Sequence, residues 1–290
     1  MNGLKLRRIR LVSWAKVNLG LRILGHRQDG FHEIVTVLQS IGIGDLIDMR
    51  LTEDGRREVT FLPSTSPEDW QKSILRLLNV AMDELDWSER GIEVTVEKCI
   101  PVSSGLGGSS ADYAGVLRAL ALLSGEALAL RKVAPLFGSD VPGLFRGGTV
   151  LCRGRGEIVE AVSGQDRMWF GILVPPVLCD TAEMYRQVEH GDVQKLRCFS
   201  DCLGRNDFQE LARSRYPQVD KAFVALEQAG AEKVFLSGSG SAVCTQSRER
   251  EKASQWLEKS TAQTGYQGIL CTSEESGYKV LCNKWGVAKW

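Results

Sequence analysis

Residues 100–125 read IPVSSGLGGSSADYAGVLRALALLSG, and the rest of the chain is best read outward from them. An alternating, strand-like run, GIEVTVEKCIP (91–101), leads in and is stopped by a proline. Glycines and serines then crowd residues 103–110. From about Ser110 to Ser124 the apolar residues recur at helical spacing, and Gly125 stands where a helix C-terminus favours glycine. Strand, glycine loop and helix in that order let backbone N–H groups converge on one concavity. The helix start adds unpaired N–H groups and a positive dipole end. The arrangement suits a polyphosphate. The plain alternative is a glycine-rich turn with a serine N-cap, and on these residues alone the two readings stand level. No GK[ST] follows, so the loop is not a Walker A motif. Gly105 and Gly107 give G-x-G, but Ser110 stands where a dinucleotide fingerprint needs its third glycine. No HRD or DFG set of a protein kinase is present.

The flanking sequence reads as an α+β mixture. RIRLVSWAKVNLGLRILG (8–25), FHEIVTVLQSIGIGDLIDMRL (31–51), REVTFL (57–62) and MWFGILVPP (168–176) predict strands. EDWQKSILRLLNVAMDELDW (68–87) places Ile74, Leu77, Leu78, Ala81 and Leu85 on one helical face. YPQVDKAFVALEQAG (216–230) predicts a helix, and EKVFLSGSGSAVC (232–244) a strand, a glycine turn and a strand. A faint composition break at CRGRGE (152–157) divides the chain into an N-terminal domain, 1–155, and a C-terminal domain, 156–290. The tail GYKVLCNKWGVAKW (277–290) predicts a terminal strand followed by a short disordered end.

The chain has 290 residues, 36 basic against 36 acidic side chains, and a formal net charge of zero. That balance counts against a nucleic-acid partner. Neither a signal peptide nor an apolar run of membrane-spanning length is seen, which predicts a cytoplasmic protein without a membrane partner. The 8 cysteines include no CxxC pair and read as reduced thiols. Cys198 and Cys202 are four apart, but without a matching His/Cys pair zinc is disfavoured.

PVSSGLGGSS (101–110) resembles the second motif of the GHMP kinase superfamily. WAKVNLGLRILGHRQDGFHEI (14–34) and VFLSGSGSAV (234–243) fall where that superfamily carries its first and third motifs. A-K-x-N-L followed by G-x-R-x-D-G-[YF]-H, together with FGSDVPGLFRGGTVLCRGRGE (137–157), is similar to the 4-diphosphocytidyl-2-C-methyl-D-erythritol kinase family. The resemblance runs from about Trp14 to Ala242. It implies a two-domain α+β fold, with an N-terminal domain like ribosomal protein S5 domain 2 and a ferredoxin-like C-terminal domain, and a site in the cleft between them. It implies ATP-dependent phosphorylation of the 2-hydroxyl of the cytidine diphosphate-linked methylerythritol, with ATP and Mg²⁺, in a monomer or weak homodimer. Rival readings are another GHMP small-molecule kinase of mevalonate or homoserine type, and a nucleotide-binding protein that has lost catalysis.

The same resemblance assigns roles residue by residue. Pro101, Val102, Ser103, Ser104, Gly105, Leu106, Gly107, Gly108, Ser109, Ser110 and Ala111 form the loop around the ATP phosphates, with Ser110 the candidate Mg²⁺ contact. Asp140 in GSDVP matches the catalytic aspartate, which takes the proton of the attacking hydroxyl; without the resemblance it reads as a turn residue. Lys16 matches the active-site lysine; its plain alternative is a strand lysine facing solvent. Lys16 and Asn18 are two apart and so share a strand face. Phe31 and His32 match an aromatic–histidine pair that holds the cytosine, with phenylalanine where tyrosine is usual. Asp112, Thr181, Gly238, Ser239 and Gly240 complete the expected substrate contacts; the last three otherwise read as a hairpin turn. His26 and His190 read as surface residues. Ser109 stands in a usual glycine position, Ala111 in a usual serine position and Gly143 in a usual aromatic position.

Overall fold

The computed structural model describes residues 7–63, 68–188, 199–283 and 286–287. Two long strands, β1 (Arg8–His26) and β2 (His32–Thr52), pair antiparallel along their whole length. β3 (Arg57–Leu62) precedes α1 (Glu68–Glu84), which buries Ile74, Leu77, Leu78 and Ala81 as the spacing predicts, with Met82 beside them; Leu85 falls just beyond its end and is partly buried. β4 (Gly91–Glu97) runs into the glycine-rich loop and α2 (Gly108–Ser124). The helix starts two residues before Ser110. A helical run buried on nearly every side follows, because Ala111, Ala114, Gly115, Val116, Leu117, Leu120 and Leu123 leave few polar positions.

α3 (Ala127–Val133), a 3₁₀ turn (Ala134–Phe137) and α4 (Val141–Arg146) lead to the hairpin β5 (Thr149–Gly154)–β6 (Ile158–Ala161). Then come β7 (Trp169–Val174), α5 (Thr181–Gln187), α6 (Phe199–Cys202), α7 (Gln209–Arg215) and α8 (Pro217–Gln228). β8 (Val234–Leu236), β9 (Val243–Ser247), α9 (Arg250–Thr264), β10 (Gln267–Thr272), β11 (Tyr278–Asn283) and β12 (Gly286–Val287) complete the chain.

One sheet runs β12-β11-β1-β2-β4-β3, and β5 extends it along the first half of β2 with β6 at its edge. The other is antiparallel, β10-β7-β9-β8, with α8 and α9 packed on it. The architecture is α+β, as expected, and is built on two sheets. The boundary expected at 155/156 falls inside the β5–β6 hairpin, so Ile158–Ala161 still belongs to the large sheet. The chain end also returns to that sheet: β11 pairs with β1 from Ile9↔Asn283 to Ser13↔Tyr278. No helix among the described residues is long and apolar enough to cross a membrane.

Three register shifts bend the β1–β2 ribbon, at Trp14/Ala15, Asn18/Gly20 and Ile23/Gly25. Such irregularities re-aim side chains, and Lys16 and Asn18 stand between the first two. The ribbon turns there to carry both side chains under the glycine-rich loop, where Lys16 N–H donates to Leu106 O at 3.0 Å.

Candidate active site

The glycine-rich loop ends in a cap without a side-chain acceptor. Gly107, in the left-handed region at φ 78°, precedes α2, and the serine N-cap that composition suggests does not form. The first intrahelical bond runs from Ala111 N–H to Gly107 O at 2.8 Å. The N–H groups of Gly108, Ser109 and Ser110 therefore precede any intrahelical acceptor and suit an anion. A cavity of about 390 Å³ opens in front of them.

Its floor is built on β1. Lys16 is 3% exposed, a burial that an ammonium tolerates only when paired. Its Nζ donates to Asn18 Oδ1 at 2.5 Å and to Gly105 O at 2.8 Å, and lies 3.3 Å from Asp140 Oδ2. Asn18 in turn donates to Thr36 Oγ1 at 2.8 Å, which fixes the amide with its oxygen toward Lys16. Asp140 precedes α4 without capping it, so its carboxylate stays on the cavity wall, partly open to solvent. Gly143, one turn on, has no room for the aromatic residue usual there: a Cβ would come within 2.7 Å of Leu38 Cδ1 and 3.0 Å of Cys152 Sγ.

The β8–β9 turn closes the opposite side. Gly238 is left-handed at φ 59°, and a Cβ there would sit 3.3 Å from Lys16 Nζ and 3.4 Å from Asn18 Oδ1. Asn206 Nδ2 donates to the carbonyls of Leu236 and Gly238 and pins the turn. The hydroxyls of Thr181 and Ser239 are 2.8 Å apart and both face the cavity.

The cavity thus gathers Lys16, Asn18, Asp140, Asp112, Thr181, Gly238, Ser239 and loop residues Val102 to Gly105 and Gly107 to Ser110. Leu106, Ala111 and Gly240 are buried behind this wall, and half-buried Pro101 lies outside the cavity. Ala111 is fully buried and its carbonyl accepts from Ser13 Oγ at 2.6 Å; the turn at Gly240 packs on Cys179. Phe31 is 45% exposed at the tip of the β1–β2 hairpin, with the Arg155 guanidinium 4.4 Å over its ring. His32 stacks on Tyr185 at 4.6 Å, and Tyr185 lines the cavity. His26 is exposed, as expected of a surface residue, and its ring lies 4.1 Å from that of His32.

Sequence reasoning missed Trp70, Lys98, Ser139, Tyr185 and Phe208, all on the cavity wall. Tyr185 carried a signal, one helical turn after Thr181 in CDTAEMY. Burial and the nearby Asp140 charge push its phenol up. Asp112 lines the cavity with one oxygen engaged: its Oδ2 pairs with Lys98 Nζ at 2.6 Å, while its buried Oδ1 has no hydrogen-bond partner among the described residues. Burial first, and Asp45 after it, push the Asp112 carboxyl well above the usual carboxylate range against the pull of Lys98. The Cys202 thiol donates to Val35 O at 3.3 Å, and burial pushes it up to about 11. Cys198 and His190 lie outside the described residues, and no cluster of metal-ligating side chains occurs among the described ones.

Comparison with known proteins places these features in a family. Residues 72–148 match the GHMP kinases N terminal domain and residues 185–262 the GHMP kinases C terminal domain. The 4-diphosphocytidyl-2-C-methyl-D-erythritol kinase of Bacillus cytotoxicus is 31% identical over 249 residues, 79% of this chain and 84% of that protein. The enzyme of the same name from Bacillus cereus is 30% identical over 246 residues, with the same coverage. A crystal structure of a 4-(cytidine 5'-diphospho)-2C-methyl-D-erythritol kinase superposes with a TM-score of 0.73 at 25% identity, covering 91% of this chain and 98% of that one. Homoserine kinase from Cytophaga hutchinsonii shares the fold at a TM-score of 0.67 and 21% identity, covering 97% of this chain and 99% of that one.

Proposed function

We propose a reaction and an assignment of residues from one premise: the chain belongs to the 4-diphosphocytidyl-2-C-methyl-D-erythritol kinases of the GHMP family. It is a small-molecule kinase. It transfers the γ-phosphoryl group of ATP to the 2-hydroxyl of 4-diphosphocytidyl-2-C-methyl-D-erythritol, a step of isoprenoid biosynthesis, and releases ADP. We take it to act in the cytoplasm.

Phosphoryl transfer asks the protein for positioning and charge stabilisation rather than covalent chemistry. The N–H groups of Gly108, Ser109 and Ser110 take the phosphates at the start of α2. Asp140 accepts the proton of the 2-hydroxyl as its oxygen bonds to the γ-phosphorus and the bond from that phosphorus to the bridging oxygen breaks, leaving ADP. Lys16 holds Asp140 in place and faces the charge that develops. Phe31 and His32 hold the cytidine end, and Thr181, Ser239 and Asn18 the polar middle of the substrate.

The donor set fits a Mg²⁺ ion carried by the nucleotide. That ion keeps most of its ligands as water and phosphate oxygen and asks little of the protein; Ser110, half-buried on the cavity wall, offers the one hydroxyl needed. When bound it neutralises phosphate charge.

The observation that carries the assignment is the 3.3 Å pairing of Lys16 with Asp140 on the cavity wall facing the helix start. The test is ADP release by purified protein with Mg²⁺-ATP and the cytidine substrate, beside Asp140→Asn. Turnover that requires the substrate and falls by about 10²-fold or more in the variant supports both reaction and base. ATP binding without turnover in the unaltered protein would instead favour a family member that has lost catalysis.

A further inference from the structure

At the neck of the phosphate loop lies a buried charge cluster that the reaction as assigned does not use, with Lys98 and Asp112 at the edge of the cavity wall. Lys98 leaves β4 at the start of the loop, Asp112 sits in the first turns of α2 at its end, and Asp45 comes from β2. Lys98 Nζ is 2.5 Å from Asp45 Oδ2 and 2.6 Å from Asp112 Oδ2, and the side chains are 9%, 0% and 6% exposed respectively. The other oxygen of Asp45 accepts from the N–H groups of Cys99 at 2.6 Å and Ile100 at 2.8 Å. The ammonium also lies 5.8 Å from the centre of the Trp70 ring and 3.6 Å from where a Cβ on Gly108 would stand.

We propose that Asp45, Lys98 and Asp112 form a clamp across the neck of the phosphate loop, and that they are positioning residues for the nucleotide. This rests on reading the loop as the ATP site. Both ends of the loop meet at one ammonium, and Asp45 fixes the two peptide groups where the chain leaves β4. Although Lys98 borders the cavity, the hydrogen bonds of its ammonium go to Asp45 and Asp112, so Lys98 serves the nucleotide through the loop's shape. The loop needs such an anchor. Gly105 and Gly107 lie in the left-handed region at φ 79° and 78°, and Ser103 joins them at φ 54°; conformations of that kind persist only when the surroundings over-determine them. Replacing one partner of a buried ion pair leaves an unpaired charge, so a lost clamp is felt by the loop's N–H groups first.

The experiment is calorimetric titration with two probes, Mg²⁺-ADP for the loop and CDP for the far end of the cleft. The proteins are the unaltered chain, Lys98→Met and Asp45→Asn. Asp45→Asn keeps an oxygen for the Cys99 and Ile100 N–H groups and puts an amide NH2, a donor, where Lys98 needs a charged acceptor. The expectation is ADP binding weakened about tenfold in both variants, the scale of a hydrogen bond to a charged group. CDP binding stays within about twofold, and kcat at saturating ATP falls far less than ATP KM rises. ADP affinity lost in Lys98→Met but kept in Asp45→Asn would make Lys98 a direct nucleotide ligand and overturn the clamp. Equal losses for ADP and CDP would make the cluster a general structural support and overturn it too. If Lys98→Met does not fold, Asp45→Asn alone decides: unchanged ADP affinity overturns the proposal. Unaltered protein that binds CDP but no ADP would overturn the nucleotide reading of the loop itself.

Discussion

Lys16 spends its whole ammonium inside the site: one contact to Asn18 Oδ1, one to Gly105 O and one to Asp140 Oδ2 at 3.3 Å. One side chain therefore ties Asp140, the proposed base, to the glycine-rich loop. Lys16→Met is expected to lower kcat by about 10²-fold, the scale of losing one preorganised charge in a water-poor site. Lys16→Arg is not expected to rescue it. The guanidinium is larger and planar, and it cannot reproduce the ammonium's three converging contacts to Asn18, Gly105 and Asp140. ADP release at saturating ATP and substrate checks both; an arginine variant with near-normal kcat would break the argument.

Gly105 is the point where the phosphate loop meets the β8–β9 turn. A Cβ there would lie 2.3 Å from Ser237 O and 2.7 Å from Gly240 O, both backbone atoms, and φ is 79°. Ala242 N–H donates to Ser104 O at 2.8 Å and Ser237 Oγ to Gly105 O at 3.0 Å, so the two segments cannot simply slide apart. Gly105→Ala is expected to cost about 2 kcal/mol or more of stability, from the backbone conformation together with the clash. Thermal melts and Mg²⁺-ADP titration test it, and both readouts should fall.

Much of this was legible because it is local. The period of two placed Lys16 and Asn18 on one face, the glycine run marked the loop that leads into α2, and Gly125 marked the helix end that the structure shows at φ 82°. What escaped the sequence depends on distant pairing. Asp45 in GIGDLID looks like an ordinary turn aspartate, and nothing local links it to Lys98, 53 residues on. Trp70 looks like one apolar residue in a helix, yet it lines the cavity. The return of β11 to β1 needs 270 or so residues of intervening fold to be in place, and no short-range pattern encodes it. Alternation along 278–283 predicts a strand but not its partner.

Gly115, in the middle of α2, sets a propensity gain against a packing loss. Alanine in a helix interior is favoured over glycine by about 1 kcal/mol. At Gly115, however, a Cβ would stand 2.7 Å from Ser13 Cβ and 2.8 Å from Ile47 Cγ1, on the two strands beneath the helix. Overpacking a dense core costs about 1–3 kcal/mol, and neither neighbour is the free end of a flexible chain. Gly115→Ala is therefore expected to lower the melting temperature despite the better helix former. A raised Tm would mean that α2 lifts off the sheet at little cost.

Asp112 gives the fold a pH dependence whose sign can be worked out. Its carboxyl is held above the usual carboxylate range, chiefly by burial and then by Asp45, with Lys98 opposing. Burial also works against the Lys98 charge, but the two carboxylates outweigh it and hold its ammonium more firmly protonated than usual, so Lys98 does not titrate over the same range. Above the unfolded value the folded chain binds more protons at Asp112 than the unfolded chain does. Stability from this group is therefore full below the usual carboxylate range and is lost as pH rises through the raised folded value. Asp112→Asn removes the titration while keeping the shape and an oxygen for Lys98. Melting temperatures of the two proteins, compared from about pH 5 to about pH 8, are expected to shift in favour of the asparagine variant as pH rises. A difference that stays flat, or that runs the other way, would mean that Asp112 remains ionised in the fold and that Lys98 alone balances it.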